Sequence, residues 1–325
     1  MSLKGKIAAV VGFIFIVFVV TPWLIATTGR SDLYYTLTSV ALLAIAGAGV
    51  WVTFYIGRIN MGQGAYALIG GYVCAILVVK YGVSFWLSLP LAGLFCAAAS
   101  VLVGLPILRL RGTYFCMITL VFTEVARLSA LALPITNGAK GISNIPLPGP
   151  IAVFGIVLVP DFSTLANSRL AFYFLSAGLM VACFAGLYRL VHSRMGQLCL
   201  SLQQNEELAS SIGVNIANLR VIAYAISSFL GGIGGALFIS ISQSIYPSSF
   251  TVNDSLNFML SCFLGGLGYV FGPIIGTFVL YFGWDFLFTT GEYQLLIYST
   301  VLIALILVLP NGILSLRPYG WKRGT

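Results

Sequence analysis

Nine apolar stretches separated by short polar connections dominate the chain: residues 7–26, 36–56, 65–79, 84–106, 113–133, 169–191, 221–241, 256–288 and 293–309. Most reach the ~20 residues that an α-helix needs to cross a hydrocarbon core of about 30 Å. A soluble fold cannot hide them, because only 7% of the 325 residues are charged, against about 25% in an ordinary soluble domain. The sequence therefore predicts an all-α polytopic membrane protein, one transmembrane unit over 1–325. The first stretch follows Lys4 and Lys6 as a signal peptide would, but it is longer than a usual apolar region of that kind. Thr27-Thr28-Gly29 is also a poor cleavage site, so 7–26 is read as a spanning helix.

Two longer connections stand apart. Residues 134–168 contain Pro134, Pro146, Pro148, Pro150 and Pro160, and the apolar run Ile151 to Val159 is too short to cross as a helix. An ordered external loop that dips toward the membrane is expected there. Residues 192–219 carry Leu198, Leu202, Leu208, Ile212 and Ile216 near helical spacing, which predicts short helices lying at a membrane face.

Charge placement tests the span count. Nine simple crossings would put Arg317, Lys322 and Arg323 opposite Lys4 and Lys6, against the positive-inside tendency. The stretch 256–288 is too long for one span and is interrupted by Gly265-Gly266-Leu267-Gly268 and Gly272-Pro273, so it is expected to cross twice. About ten crossings then place both termini in the cytoplasm, with Lys4, Lys6, Arg58, Arg109, Arg111, Arg189, Arg194, Arg220, Arg317, Lys322 and Arg323 inside. Only Arg30, Lys80, Lys140 and Arg169 fall outside. The net charge of +8 thus reports topology, and no nucleic-acid partner is implied.

Arg127 is the basic residue left over, and Glu124 lies one turn before it near mid-membrane. Charges at that depth are costly and face a bundle interior or a water-filled path. The two either neutralise each other as an i, i+3 pair that fixes helix packing or line a substrate path. Asn60 and Gln63 interrupt the apolar pattern between Gly57 and Ala65, and Gly265 to Gly276 interrupt it in the other half. Paired interruptions of this kind point to a transport path, since unwound backbone is tolerated only where it lines a cavity or is buried in protein. Helix packing through Gly231 and Gly235, and through Gly272 and Gly276, is the alternative use of the glycines.

Other chemistry is not indicated. The sequence holds no GxxxxGK[ST] loop, no HExxH or GxSxG motif, and six cysteines without close pairing. No catalytic residue, metal or cofactor is expected, and any ATP hydrolysis belongs to another chain. His192 is the single histidine, at the cytoplasmic end of a span.

The loop Gln204-Asn205-Glu206-Glu207-Leu208-Ala209-Ser210-Ser211-Ile212-Gly213 resembles the EAA loop of ABC importer permeases, carried by Glu207, Ala209 and Gly213. A short helix ended by Gly213 could seat in a groove on a soluble ATPase. Leu108-Arg109-Leu110-Arg111-Gly112-Thr113-Tyr114-Phe115, continuing through Thr119-Leu120 and Phe122 to Glu124 and Arg127, is similar to the signature of M-type permeases of high-affinity branched-chain amino-acid importers. Asn137-Gly138-Ala139-Lys140-Gly141-Ile142, Leu264-Gly265-Gly266-Leu267-Gly268 and Gly272-Pro273 resemble further blocks in the same order. The resemblance covers roughly 36–316. It implies a type II ABC importer fold with broken helices, an H-type permease partner, two ATPase subunits and an extracytoplasmic solute-binding protein in a bacterial plasma membrane. Its transport class is inward movement of branched-chain amino acids, or of urea, short amides or aromatic acids as in related permeases. Two departures stand out: Gly57-Arg58 followed by Asn60-Met61-Gly62-Gln63, where the family commonly has Gly-Gln and Ser-Leu-Gly-His, and Leu208 in the second place of the EAA-like triplet. A self-contained ion-coupled transporter or channel using Glu124 is the alternative from another class.

Overall fold

A computed structural model describes residues 16–28, 32–110, 112–153, 156–159, 162, 168–211, 213–286 and 293–316. After a π-helical turn at Ile16–Val20, twelve α-helices follow among the described residues: α1 (Thr21–Thr28), α2 (Asp32–Phe54), α3 (Gln63–Val79), α4 (Phe85–Ile107), α5 (Thr113–Ala132), α6 (Ser168–Val191), α7 (Arg194–Gln204), α8 (Glu206–Ser211), α9 (Ile216–Ser242), α10 (Val252–Gly265), α11 (Gly272–Phe286) and α12 (Gln294–Val308). Of these, α2, α4, α5, α6 and α9 are long and apolar enough to cross a membrane. The basic residues expected at the two chain ends, with Arg30 and Arg111, lie outside the described residues.

α2 and α9 form the centre, and apolar residues cover them on nearly every side, as for a helix buried within a larger bundle. Small residues let neighbouring backbones approach α9. A Cβ on Gly235 would lie 1.8 Å from the Ala67 carbonyl oxygen of α3, and one on Gly70 would lie 2.4 Å from Gly232 Cα. Helix association in lipid relies on such packing, because lipid tails are as apolar as the side chains they would replace. The outer faces of α4, α5 and α12 instead expose Leu94, Phe95, Leu102, Val121, Val125, Leu128, Val301 and Leu307.

The connections gather at two opposite ends of the bundle. At one, β1 (Ile142–Ser143) pairs antiparallel with β4 (Ser244–Ile245), and the Lys80 ammonium donates to the Ile135 carbonyl at 2.6 Å. Arg169 meets Asp32 at 3.4 Å at the same end. The run from Ile151 to Val159 is too short to cross as a helix, and its described residues form an antiparallel hairpin of β2 (Ile151–Val153) and β3 (Ile156–Val159). At the other end lie α7 and α8. Gln203 donates from Nε2 to the Phe54 carbonyl at 3.1 Å there, and Trp51 Nε1 donates to the Leu267 carbonyl at 2.9 Å.

The long stretch 256–288 is split where the glycines fall, into α10 and α11. The turn has a packing cause. Gly266 has φ +110°, and a Cβ on Gly265 would lie 1.8 Å from the Gly272 carbonyl oxygen, while one on Gly276 would lie 1.7 Å from that of Ser261. These glycines sit at the α7–α8 end of the bundle, beside Trp51 and the Phe271–Tyr188 ring stack. They close a helical hairpin there, away from the mid-membrane interruption that follows Gly57.

Candidate functional site

The mid-bundle junction is built by two broken crossings. After α2 ends, Gly57 turns the chain with φ +74° and residues 57–62 run back into the bundle unwound, so that α3 starts inside it. The second break is at 246–251, where non-helical chain leads inward from β4 and α10 begins. The starts of α3 and α10 meet: the Gly64 amide donates to Ser255 Oγ at 2.9 Å, and Ser255 Oγ lies 3.2 Å from Thr123 Oγ1 of α5. Thr123 is about 15 Å along α5 at 1.5 Å per residue, halfway through a helix of 20 residues.

Asn60 and Gln63 are both fully buried at this junction. Asn60 Oδ1 accepts from the Gly62 amide at 2.9 Å, and its Nδ2 donates to Gln63 Oε1 at 3.3 Å. Gln63 Nε2 donates to the Ser227 carbonyl of α9 at 3.0 Å, and Gln63 Oε1 also accepts from Ser227 Oγ at 3.1 Å. Each polar side-chain atom of the two residues is therefore engaged in bracing the break. Thr119 Oγ1 accepts from the Met61 amide at 3.1 Å, and Arg58 donates to the Leu110 carbonyl and lies over the Phe115 ring. Buried polar groups at this depth must be paired or cost several kcal/mol each. The α10 start is closed by a capping box in which Asp254 Oδ2 accepts from the Thr251 amide at 2.7 Å.

Glu124 and Arg127 form an ion pair, with Arg127 Nε 3.0 Å from both carboxylate oxygens and Nη2 at 2.5 Å from Oε1. Both stay partly open, with side-chain exposures of 42% and 30%. They do not join the Asn60–Gln63 network, which lies on the buried stripe of α5 formed by Phe115, Thr119, Thr123, Ala126 and Ala130.

The α7–α8 loop is a separate surface. Asn205 Oδ1 caps α8 by accepting from the Glu207 and Leu208 amides at 3.0 and 3.1 Å. Gly213, φ +85°, ends the turn; its amide donates to the Ser210 carbonyl and the Val214 amide to that of Ala209. Glu206 pairs with Arg220 of α9 at 2.5 Å, which ties the loop to a central helix. Ala209 is buried, whereas Glu207 and Leu208 face outward. A groove of about 460 Å³ at the end of this loop is lined by Met195, Leu198, Gly213, Val214, Asn218 and Ile222. The apolar residues of this loop therefore split, Leu202 turning in and Leu198 and Leu208 turning out.

Comparison with known proteins decides the family. The permease component of branched-chain amino acid transport systems matches residues 33–309. This chain belongs to that permease family. The permease is 31% identical over 304 residues to the high-affinity branched-chain amino acid transport system permease protein LivM of Escherichia coli, covering 87% of this chain and 70% of that protein. It is 25% identical to a probable branched-chain amino acid transport permease protein LivH of Methanocaldococcus jannaschii, over 87% and 90% of the two chains. The ribose import permease protein RbsC of Escherichia coli is 23% identical, over 86% and 85%. No solved structure matches.

Several residues at the permease's junction carry little sequence signal. Thr123, Ser227 and Ser255 lie singly inside or beside apolar windows, where a helical hydroxyl commonly bonds its own backbone. Asp254 stands just outside the window beginning at 256. Cys199 of α7 is buried, and that burial pushes its thiol up to about 11. Because the thiolate is the nucleophile, Cys199 is expected to resist iodoacetamide at pH 8 and to react about tenfold faster per pH unit as pH rises toward 11. Mass-spectrometric mapping of alkylated protein across that range checks it; full labelling at pH 8 would contradict the buried placement. The same shift means that the folded state disfavours the thiolate, so the thiol's contribution to stability is lost as pH rises above 9, not as it falls.

Proposed function

We propose that the chain is the M-type permease subunit of an ATP-driven ABC importer, moving branched-chain amino acids or a related small polar solute inward by alternating access. The similarity to LivM over 87% of the chain carries this reading. In it, the chain pairs with an H-type permease, two ATPase subunits and an extracytoplasmic solute-binding protein in a bacterial plasma membrane. It crosses about ten times with both termini cytoplasmic, which puts α7 and α8 on the cytoplasmic side and the β1–β4 pair outside. Asn60 and Gln63 shape the path by holding the α3 break open against α9, Glu124 and Arg127 stand at its edge, and Glu207, Ala209 and Gly213 form the coupling element. The groove bordered by Gly213 and the tie from Glu206 to Arg220 support that last assignment, since motion of a docked ATPase would reach α9 directly.

Proteoliposomes test the reading. Uptake is expected to require the partner permease, both ATPases and ATP, and to cease when the ATPases are left out. Uptake that persists without them under an ion gradient would select the ion-coupled transporter, with Glu124 as its ion site.

A further inference from the structure

The outward face of α10 presents Asn253 and Asn257, one turn apart on the same side of the helix and both exposed. Among the described residues neither side chain makes a hydrogen bond. Their depth follows from Ser255, which contacts Thr123 halfway along α5. Two residues to either side is about 3 Å, so both carboxamides lie close to the bilayer midplane. Facing lipid there, each would leave several donors and acceptors unsatisfied at a cost of several kcal/mol. The ion pair Glu124–Arg127 is also half-open, one to four residues beyond Thr123 on α5, whereas Val121, Val125 and Leu128 of that helix offer lipid an apolar face at the same depth.

From this juxtaposition we propose that Asn253 and Asn257 form a wall of the water-filled translocation path and contact the transported solute. The assignment rests on the permease reading and adds its solute-facing residues. A carboxamide both donates and accepts, so the pair suits a zwitterion or a neutral amide. Exposure sets these residues apart from Asn60 and Gln63, whose polar atoms are consumed inside the protein.

The test uses the assembled transporter with Asn253→Cys, Asn257→Cys and, as a control of equal depth, Val125→Cys, the wild type serving as blank for the native cysteines. A charged methanethiosulfonate reagent reacts with thiolate, which requires water. It is expected to label the two α10 positions at least about tenfold faster than position 125, and excess solute should slow that labelling. Asn257→Leu is expected to lower uptake about tenfold, as the loss of one hydrogen bond to the solute would. Labelling no faster than at 125, in a complex that still transports, overturns the proposal, as does cross-linking of position 257 to the partner permease without aqueous labelling. In either case ATP-dependent uptake would leave the permease reading standing, and ATPase-independent uptake would remove that reading whatever the labelling.

Discussion

Gly235→Val is expected to abolish accumulation of the folded permease. A Cβ at this position of α9 would fall 1.8 Å from the Ala67 carbonyl oxygen and 2.9 Å from Ala67 Cα, and both atoms belong to the α3 backbone. No flexible side chain can yield, so α3 would have to move away from α9 along its length, including at Gly70, where an added Cβ would lie 2.4 Å from Gly232 Cα. Overpacking alone costs about 1–3 kcal/mol in a core that can adjust, and a backbone contact cannot adjust. Separation would also pull Gln63 from Ser227 and leave buried amide groups unpaired, at about 1–3 kcal/mol each. Together these approach the whole stability of a typical domain, about 5–15 kcal/mol. Fluorescence-detected size-exclusion chromatography of a tagged protein reads the outcome, with Gly178→Val as control because nothing lies within 4 Å of a Cβ there. Equal monodisperse yield from the two variants would refute the close packing of α3 on α9.

The second large effect concerns the proposed coupling element. Glu207→Lys is expected to remove the ATPases from the purified complex and abolish uptake while the permease itself folds normally. Glu207 is exposed, and its amide, not its side chain, makes the bond to Asn205 that caps α8. Reversal therefore spares the local fold. Losing one member of an interfacial charge pair costs about 2–5 kcal/mol, and every 1.4 kcal/mol is tenfold in affinity. Copurification of ATPases at wild-type stoichiometry, with normal uptake, would move the docking surface elsewhere. Glu206→Lys makes a useful contrast, because its carboxylate holds Arg220; that substitution is expected to disturb the permease itself.

Much of the fold was legible because bilayer thickness imposes a length on apolar segments. The windows 36–56, 84–106, 113–133, 169–191 and 221–241 became α2, α4, α5, α6 and α9 with ends shifted by a few residues, and the glycines within 256–288 marked where the helix breaks. The same glycines carry the packing reading: they form a tight turn at the α7–α8 end, and the break that meets the interruption at 57–64 is instead the non-helical segment before Thr251. Glycine signals close approach as readily as it signals unwinding, and a linear pattern cannot separate the two.

The sequence by itself determined that the chain is an all-helical membrane protein of the branched-chain permease class, because hydrophobic length and an ordered set of motifs are properties of the chain read in one dimension. Only the tertiary structure decided which polar residues are spent on the fold and which remain available. Gln63, which holds Asn60, meets Ser227, 164 residues beyond it, and Gly64 meets Ser255, 191 residues beyond it. At mid-membrane a polar group must find a partner, water or solute, and which of the three it finds depends on contacts between segments far apart in the chain.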